Sequence, residues 1–235
     1  MKIIIMLFVA YVSLATAYCQ TADDYVKMGM SKADLEDYRG AIADYTKAIE
    51  IDPNYALAYN NRGVSKAGLE DYRGAIADNT KAIDIEPNDA LAYYNRGVAK
   101  YGLKDYRGAI ADNTKAIEID SNYADAFYNR GISKKGLEDY RGAIADYTKA
   151  IEIEPNDATA YYNRGVTKAR LEDYSGAIAD YTKAIEIDPN DATAYVNRGI
   201  GRLLLDQLDS GCLDFSKAGE LGYGKAFDLI KKYCN

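Results

Sequence analysis

The side chains best able to make specific contacts in this chain recur every 34 residues. Asparagine occupies one recurring position five times, and tyrosine stands directly before three of those copies. The residues are Asn61, Asn95, Asn129, Asn163 and Asn197, with Tyr94, Tyr128 and Tyr162. A side-chain amide both donates and accepts hydrogen bonds, so an evenly spaced row of amides can hold the backbone of an extended peptide. Tyrosine adds amphipathic contact area at low entropic cost.

Catalytic chemistry is not favoured by the composition. The chain contains no histidine, which removes the commonest general base and metal ligand. It also has no nucleophile constellation, Gly-rich phosphate loop or Cys-x-x-Cys pair. An active site is singular, whereas nearly every polar residue here is copied from unit to unit. We therefore expect no enzymatic activity, no cofactor, no metal site and no small-molecule substrate.

The charge balance argues against nucleic acid as a partner. The net charge is −7 and the sequence pI is about 4.8. Phosphate binding needs a clustered basic surface, and no such cluster is visible. We expect a protein or peptide partner, with any membrane association indirect.

The 34-residue period also predicts the elements that position these side chains. The four prolines are 34 or 68 residues apart, with Ser121 where a fifth would fall: Pro53, Pro87, Pro155 and Pro189. Each period contains two stretches with apolar or small residues at helical spacing. Asp71 precedes one second stretch, and Asn88 or Asp89 precedes the next period, so both stretches begin with good capping residues. Two helices per unit follow, because proline in the linker blocks continuation.

The unit boundaries follow from the period. Five repeats are expected at 22–55, 56–89, 90–123, 124–157 and 158–191, a degenerate sixth at 192–225, and a capping helix at 225–235. We number positions from the first residue of each repeat. A unit of this size buries its apolar face only against a neighbour, so the repeats must stack.

Small and aromatic residues recur at fixed positions of these units. Position 4 is aromatic in all six units, and position 8 is glycine in all six. Alanine fills position 20 in five units and position 27 in six. This pattern resembles the tetratricopeptide repeat family over six consecutive units. The resemblance implies an all-α fold, a right-handed superhelical solenoid of helix-turn-helix units whose first helices line a concave face.

In that family, positions 5 and 6 belong to the concave face, which is where the asparagines and tyrosines fall. The resemblance therefore implies that these residues contact a peptide, although asparagine at position 6 is also simply common in the family consensus. Position 5 is never lysine, and position 9 is Met30 or a β-branched residue. The clamp that such repeats use for a terminal carboxylate is therefore absent.

Arginine at position 7 and aspartate at position 23 form a second recurring pair. Position 7 is Arg62, Arg96, Arg130, Arg164 and Arg198, and position 23 is Asp44, Asp78, Asp112, Asp146, Asp180 and Asp214. We predict that each arginine pairs with the aspartate of its own repeat within about 4 Å. Such a series is structural rather than a binding site.

The first 19 residues differ from the rest and have the form of a signal peptide. Lys2 is followed by an apolar run and then by Ala15-Thr16-Ala17, the small-x-small form of a cleavage site. We expect export, with cleavage after Ala17 or after Cys19; a retained anchor is the alternative. Cys19 raises the question of lipidation, which Tyr18 disfavours. The expected location is periplasmic or secreted, with outer-membrane association as a variant.

Two further cysteines, Cys212 and Cys234, lie in the last repeat and the capping segment. In an exported chain they have the chance to pair, because disulfides persist in oxidising compartments. If the last two helices run antiparallel, the cysteines lie side by side and form a disulfide; two inert thiols are the alternative. Ala226, Leu229, Ile230 and Tyr233 are expected to face inward from the capping helix.

Two hypotheses about function remain. The first is an exported, non-enzymatic scaffold whose concave face binds an extended peptide or a partner helix. The second is a structural spacer or self-assembling envelope element with no dedicated peptide ligand. Near-identical repeats fit both hypotheses, since repeated sites suit repetitive ligands and recent duplication gives the same pattern.

Overall fold

A computed structural model describes residues 20–234, and these residues form 13 α-helices. The first helices of the repeats are α1 (Ala22–Asp34), α3 (Ala56–Gly68), α5 (Ala90–Gly102), α7 (Ala124–Gly136), α9 (Ala158–Arg170) and α11 (Ala192–Leu203). The second helices are α2 (Tyr38–Ile51), α4 (Tyr72–Ile85), α6 (Tyr106–Ile119), α8 (Tyr140–Ile153), α10 (Tyr174–Ile187) and α12 (Leu208–Glu220), followed by α13 (Ala226–Tyr233). The predicted all-α fold of helix-turn-helix repeats is confirmed.

Between Gln20 and Cys234, no helix is long and apolar enough to cross a membrane. The predicted signal peptide at 1–19 and the question of Cys19 lie outside the described residues. The helices form two compact units that divide between Pro87 and Asn88. We call them the N-terminal unit, α1–α4, and the C-terminal unit, α5–α13. Within each unit, a helix packs on its neighbours in the sequence.

Aspartate caps start the second helices of the first five repeats. The Asp71 carboxylate accepts a hydrogen bond of 3.0 Å from the backbone N–H of Gly74, and the equivalent aspartates do the same. This satisfies an N–H group that the helix itself leaves unpaired. Asp89 caps α5 as predicted, whereas Tyr55 and Tyr123, at the same point before α3 and α7, provide no side-chain cap.

The turn inside each repeat has a feature that the composition did not reveal. Its middle residue lies in the left-handed region, with φ between 57° and 62°, and none of these residues is glycine. They are Glu36, Glu70, Lys104, Glu138, Glu172 and Asp206. Packing of the two helices therefore fixes a backbone conformation that these residue types rarely adopt alone.

Close approach of the two helices depends on the small residues at positions 8 and 20. A Cβ atom on Gly131 would lie 2.8 Å from the ring of Tyr147 and 3.3 Å from the backbone oxygen of Ala143. Tyr147, Ala143 and Ala150 are buried. The predicted steric role of these positions is confirmed, since no side chain larger than hydrogen fits at Gly131 without movement.

The predicted pairing of position 7 with position 23 is confirmed in five repeats. In each, the guanidinium Nη2 and Nε atoms donate to the two carboxylate oxygens of the same repeat, at 2.7 Å and at 2.9 to 3.1 Å. This bidentate geometry is the strongest that arginine offers. In the first repeat Met28 replaces the arginine, and the Lys32 ammonium contacts Asp44 at 2.5 Å.

A second cation, at position 11, completes each cluster and was not predicted. Lys134 Nζ lies 2.8 Å from Oδ2 of Asp146, the oxygen that Arg130 Nε also contacts. Equivalent groups are Lys66, Lys100, Lys168 and, in the last repeat, Arg202. Arg130 also reaches back to the Thr114 hydroxyl of the preceding repeat, at 3.1 Å. The series therefore links neighbouring repeats within the C-terminal unit as well as the two helices of one repeat.

The capping helix α13 packs on α12 and brings the two cysteines together. Cys212 and Cys234 have Cα atoms 5.8 Å apart, within the range for a disulfide, and their sulfur atoms are in bonding contact. Ala226 is fully buried, and Leu229 and Ile230 are half-buried, as predicted. The prediction for Tyr233 was wrong: the residue is 41% exposed and lies at the rim of an apolar cavity of about 600 Å³, beside Leu204 and Leu229.

Candidate functional site

Three predicted tyrosines and three predicted asparagines of the C-terminal unit lie on the first helices and contact each other from repeat to repeat. Nδ2 of Asn129 donates to the Tyr94 hydroxyl oxygen at 3.1 Å, across the gap between α5 and α7. Nδ2 of Asn163 donates to Tyr128, and that of Asn197 to Tyr162, each at 2.9 Å. We call these six residues the Tyr–Asn face. In the sequence, each tyrosine is simply adjacent to an asparagine of its own repeat. In the structure, each tyrosine hydroxyl accepts a hydrogen bond from the asparagine of the following repeat.

The amide donors of Asn129 and Asn163 are already used inside the protein. Nδ2 of Asn129 also donates to the backbone oxygen of Asp125, and Nδ2 of Asn163 to that of Thr159. Among residues 20–234, no donor reaches Oδ1 of Asn129 or of Asn197. Oδ1 of Asn129 and Oδ1 of Asn197 therefore remain open as acceptors for the N–H groups of an incoming chain.

Asn163 differs from Asn129 and Asn197 because its side-chain oxygen, Oδ1, also accepts a hydrogen bond. The Lys135 ammonium donates to Oδ1 of Asn163 at 3.0 Å. Burial, and secondarily the nearby charge of Arg170, lower the pKa of Lys135. This contact was not predicted, since the two residues belong to different repeats and lysine occupies position 12 only here.

The phenols of the face stay neutral far above physiological pH. Burial raises the pKa of Tyr128 to about 12, with smaller contributions from Asp157 and other tyrosines. Burial also raises the pKa of Tyr94 and of Tyr162, which the asparagine hydrogen bonds partly offset. Each hydroxyl accepts from asparagine and keeps its own proton. It can therefore donate to a carbonyl of a bound chain.

Aromatic contacts hold the tyrosine rings in place. The rings of Tyr94 and Tyr123 have centroids 5.1 Å apart, and those of Tyr128 and Tyr147 are 5.7 Å apart. Both distances lie in the favourable range for tilted aromatic pairs. Tyr147 belongs to a second helix and is fully buried, so the face rests on the core.

The remaining predicted residues lie elsewhere. Asn95 is half-buried on α5. Asn61 lies on α3 in the N-terminal unit, where position 5 of the preceding repeat is Val26 and supplies no hydroxyl. Its Nδ2 atom is buried and has no hydrogen-bond partner among the described residues. Over the same residues, no group of three or more His, Cys, Asp or Glu is placed to hold a metal ion.

Sequence comparison finds one repeat family. The sequence model described as "Tetratricopeptide repeat" matches residues 90–123 and 158–191, and that described as "TPR repeat" matches 31–69 and 137–172. No curated protein matches the chain.

Solved structures of similar fold cover most of the chain. YrrB, described as "a TPR protein with an unusual peptide-binding site", is 25% identical, with a TM-score of 0.67 over 80% of this chain and 97% of its own. MamA is 28% identical, with a TM-score of 0.64 over 71% of this chain and 97% of its own. PilF of Pseudomonas aeruginosa has a TM-score of 0.78 over 90% and 96% at 18% identity, which shows the fold alone.

Proposed function

The chain belongs to the tetratricopeptide repeat family, and from that premise we propose that it is a non-enzymatic scaffold that binds an extended peptide or a partner helix on its first helices. The observation that supports this most directly is the Tyr–Asn face. It repeats the same pair of polar groups at consecutive repeats, with the amide oxygens of Asn129 and Asn197 open. YrrB, a solved protein of similar fold, is described as having a peptide-binding site.

The proposed mode of binding follows from the polar groups of the Tyr–Asn face that can still form hydrogen bonds. Peptide N–H groups would donate to Oδ1 of Asn129 and Asn197, while peptide carbonyls would accept from tyrosine hydroxyls. Main-chain contacts of this kind do not depend on the side chains of the ligand, so the face would accept many sequences. Half-buried tyrosine rings would supply most of the apolar contact.

A double variant tests this proposal. Asn129→Ala with Asn197→Ala removes both open acceptors, and we expect partner capture from an envelope extract to fall at least tenfold, since each lost hydrogen bond is worth about 1 kcal/mol. Capture is read by placing a photo-crosslinking amino acid at Val166, which is one turn from Asn163 on α9, and identifying adducts by mass spectrometry. A crosslinker at the exposed Glu152 on α8 should give none of the same adducts.

Asn122→Ala with Asn156→Ala is the matched control, because both residues are exposed in the linkers between repeats. Circular dichroism verifies that each variant is folded. If the folded Asn129/Asn197 variant gives as many crosslinked adducts as the wild type, the scaffold hypothesis is contradicted and the spacer hypothesis is favoured. The spacer also predicts concentration-dependent self-association of the wild type.

Export is a further part of the proposal, and the disulfide depends on it. The signal-like segment at 1–19 would direct the chain to the periplasm or outside the cell, where Cys212 and Cys234 would be oxidised. N-terminal sequencing of the mature protein should begin at Tyr18 or Gln20. A mature protein that starts at Met1 or Lys2 would contradict export.

We expect reduction of the disulfide to lower the free energy of unfolding by about 3 kcal/mol. The pair is separated by 22 residues, and opening the loop restores chain entropy to the unfolded state. Urea unfolding with and without reductant measures the difference. The Cys212→Ser/Cys234→Ser variant should unfold like the reduced wild type, and reductant should not change its unfolding curve. Identical curves for oxidised and reduced wild type would show that the two thiols are inert.

A further inference from the structure

The N-terminal unit contains a small cavity whose lining includes polar atoms without hydrogen-bond partners. It has a volume of about 160 Å³ and lies among α1, α2 and α3. We call it the N-terminal pocket. Its apolar lining includes Met30, Ala33 and Val64, and its polar lining includes Asp34, Asn61 and Ser65.

Two buried atoms in the lining lack hydrogen-bond partners. These are Nδ2 of Asn61 and Oγ of Ser65, neither of which meets a partner in residues 20–234. In the C-terminal unit, the hydroxyls of Ser133 and Thr167 at the same repeat position donate to backbone oxygens four residues earlier. Burying a polar group without a partner is unfavourable, so the pocket favours a ligand that supplies one.

The chain itself shows which groups are missing from the pocket. Asn163, the counterpart of Asn61, is satisfied by the Tyr128 hydroxyl and the Lys135 ammonium. At the equivalent positions of the first repeat stand Val26 and Ala33, which provide neither group. A ligand that enters the pocket therefore takes the place of the oxygen acceptor that Tyr128 supplies to Asn163.

The charge at the pocket favours a cation. Asp34 is the charged residue of the lining, and it is exposed at the rim. Residues 20–87 carry 13 aspartates and glutamates against eight lysines and arginines. An exposed carboxylate beside an apolar wall suits a side chain with an aliphatic stem and a cationic end.

We propose that the N-terminal pocket binds a lysine or arginine residue of a peptide. The main-chain carbonyl of that residue accepts from Asn61 and Ser65, its stem packs on Met30 and Val64, and its cation meets Asp34. This inference rests on the proposed scaffold function and narrows it. It places a basic residue of the ligand at the first two repeats, whereas the Tyr–Asn face is indifferent to ligand side chains.

Capped tripeptides test the pocket on the purified protein. The probes are acetyl-Ala-Lys-Ala-amide and its norleucine counterpart, which keeps the stem but has no charge. We expect the lysine probe to shift the NMR signals of the Asn61 side-chain amide and of the backbone amides of Met30 and Asp34, with a dissociation constant of about 1 mM. The norleucine probe should bind two- to fivefold more weakly, as for an exposed ion pair.

Three variants separate the contributions. Asp34→Asn should reduce lysine binding to the norleucine level, and Asn61→Ala should weaken both probes about five- to tenfold. Asn156→Ala is the control and should leave lysine binding unchanged, because Asn156 is exposed in a linker between repeats. Asn61→Ala should not lower the thermal midpoint, since it removes a donor with no partner.

The outcomes distinguish this inference from the scaffold proposal. Shifts at the Tyr–Asn face but none at Asn61 would overturn the pocket and leave the scaffold standing. Equal affinity for the lysine and norleucine probes, or binding unaffected by Asp34→Asn, would overturn the role of the cation. Loss of crosslinking in the Asn129/Asn197 variant with intact probe binding at Asn61 would support both. No shift with either probe would mean that the pocket holds only water.

Discussion

Asp146→Ala is expected to lower the free energy of unfolding by about 3 to 5 kcal/mol. The Asp146 side chain is 5% exposed and forms ion pairs with two cations, Arg130 and Lys134, at 2.7 and 2.8 Å. Its removal leaves both cations inside a low-dielectric cluster with no counter-charge. Because breaking a buried pair leaves a charge uncompensated, the loss is larger than the pair itself contributes.

Urea unfolding followed by circular dichroism measures this change. Glu152→Ala is the control: Glu152 lies 2.6 Å from Lys149, but both side chains are more than half exposed, so the loss should be below about 1 kcal/mol. Similar losses for the two variants would show that the buried clusters add no more than surface pairs. That result would mean that the buried Arg–Asp–Lys clusters do not stabilise the contacts between repeats.

Tyr181→Ala is also expected to cost about 3 to 5 kcal/mol of unfolding free energy. The Tyr181 ring is 3% exposed, and it fills the space over Gly165. It also supports the Tyr162 ring of the Tyr–Asn face, with centroids 5.9 Å apart. The variant should therefore lose binding at Tyr162 as well as stability.

Tyr181→Phe keeps the ring and should cost about 1 kcal/mol or less. A double-mutant cycle with Gly165→Ala tests the packing directly, because a Cβ at Gly165 would lie 2.9 Å from the Tyr181 ring. Gly165→Ala should be clearly less harmful in the Tyr181→Ala background than in the wild type. Strictly additive costs would contradict the close fit of these residues.

Local structure could be predicted because its signals lie within one repeat. Aspartate at position 16 caps the second helix through a backbone N–H three residues later, which is a contact between near neighbours. Arg130 and Asp146 are 16 residues apart and lie on the two helices of one repeat. The pair could still be predicted, because the 34-residue period had already placed these two helices against each other. The third member, Lys134, lies one helical turn beyond Arg130 and therefore on the same face of the helix.

The sequence by itself therefore determined the helices, the turns between them and the contacts inside a repeat, because these depend on short-range spacing. Only the tertiary structure decided how one repeat contacts the next. Asn163 meets Tyr128 and Lys135, and Asn61 meets neither kind of group. These contacts depend on the offset between neighbouring first helices, which periodicity does not specify. The five asparagines are identical in sequence, and what each can bind is decided by which side chains the neighbouring repeat places beside it.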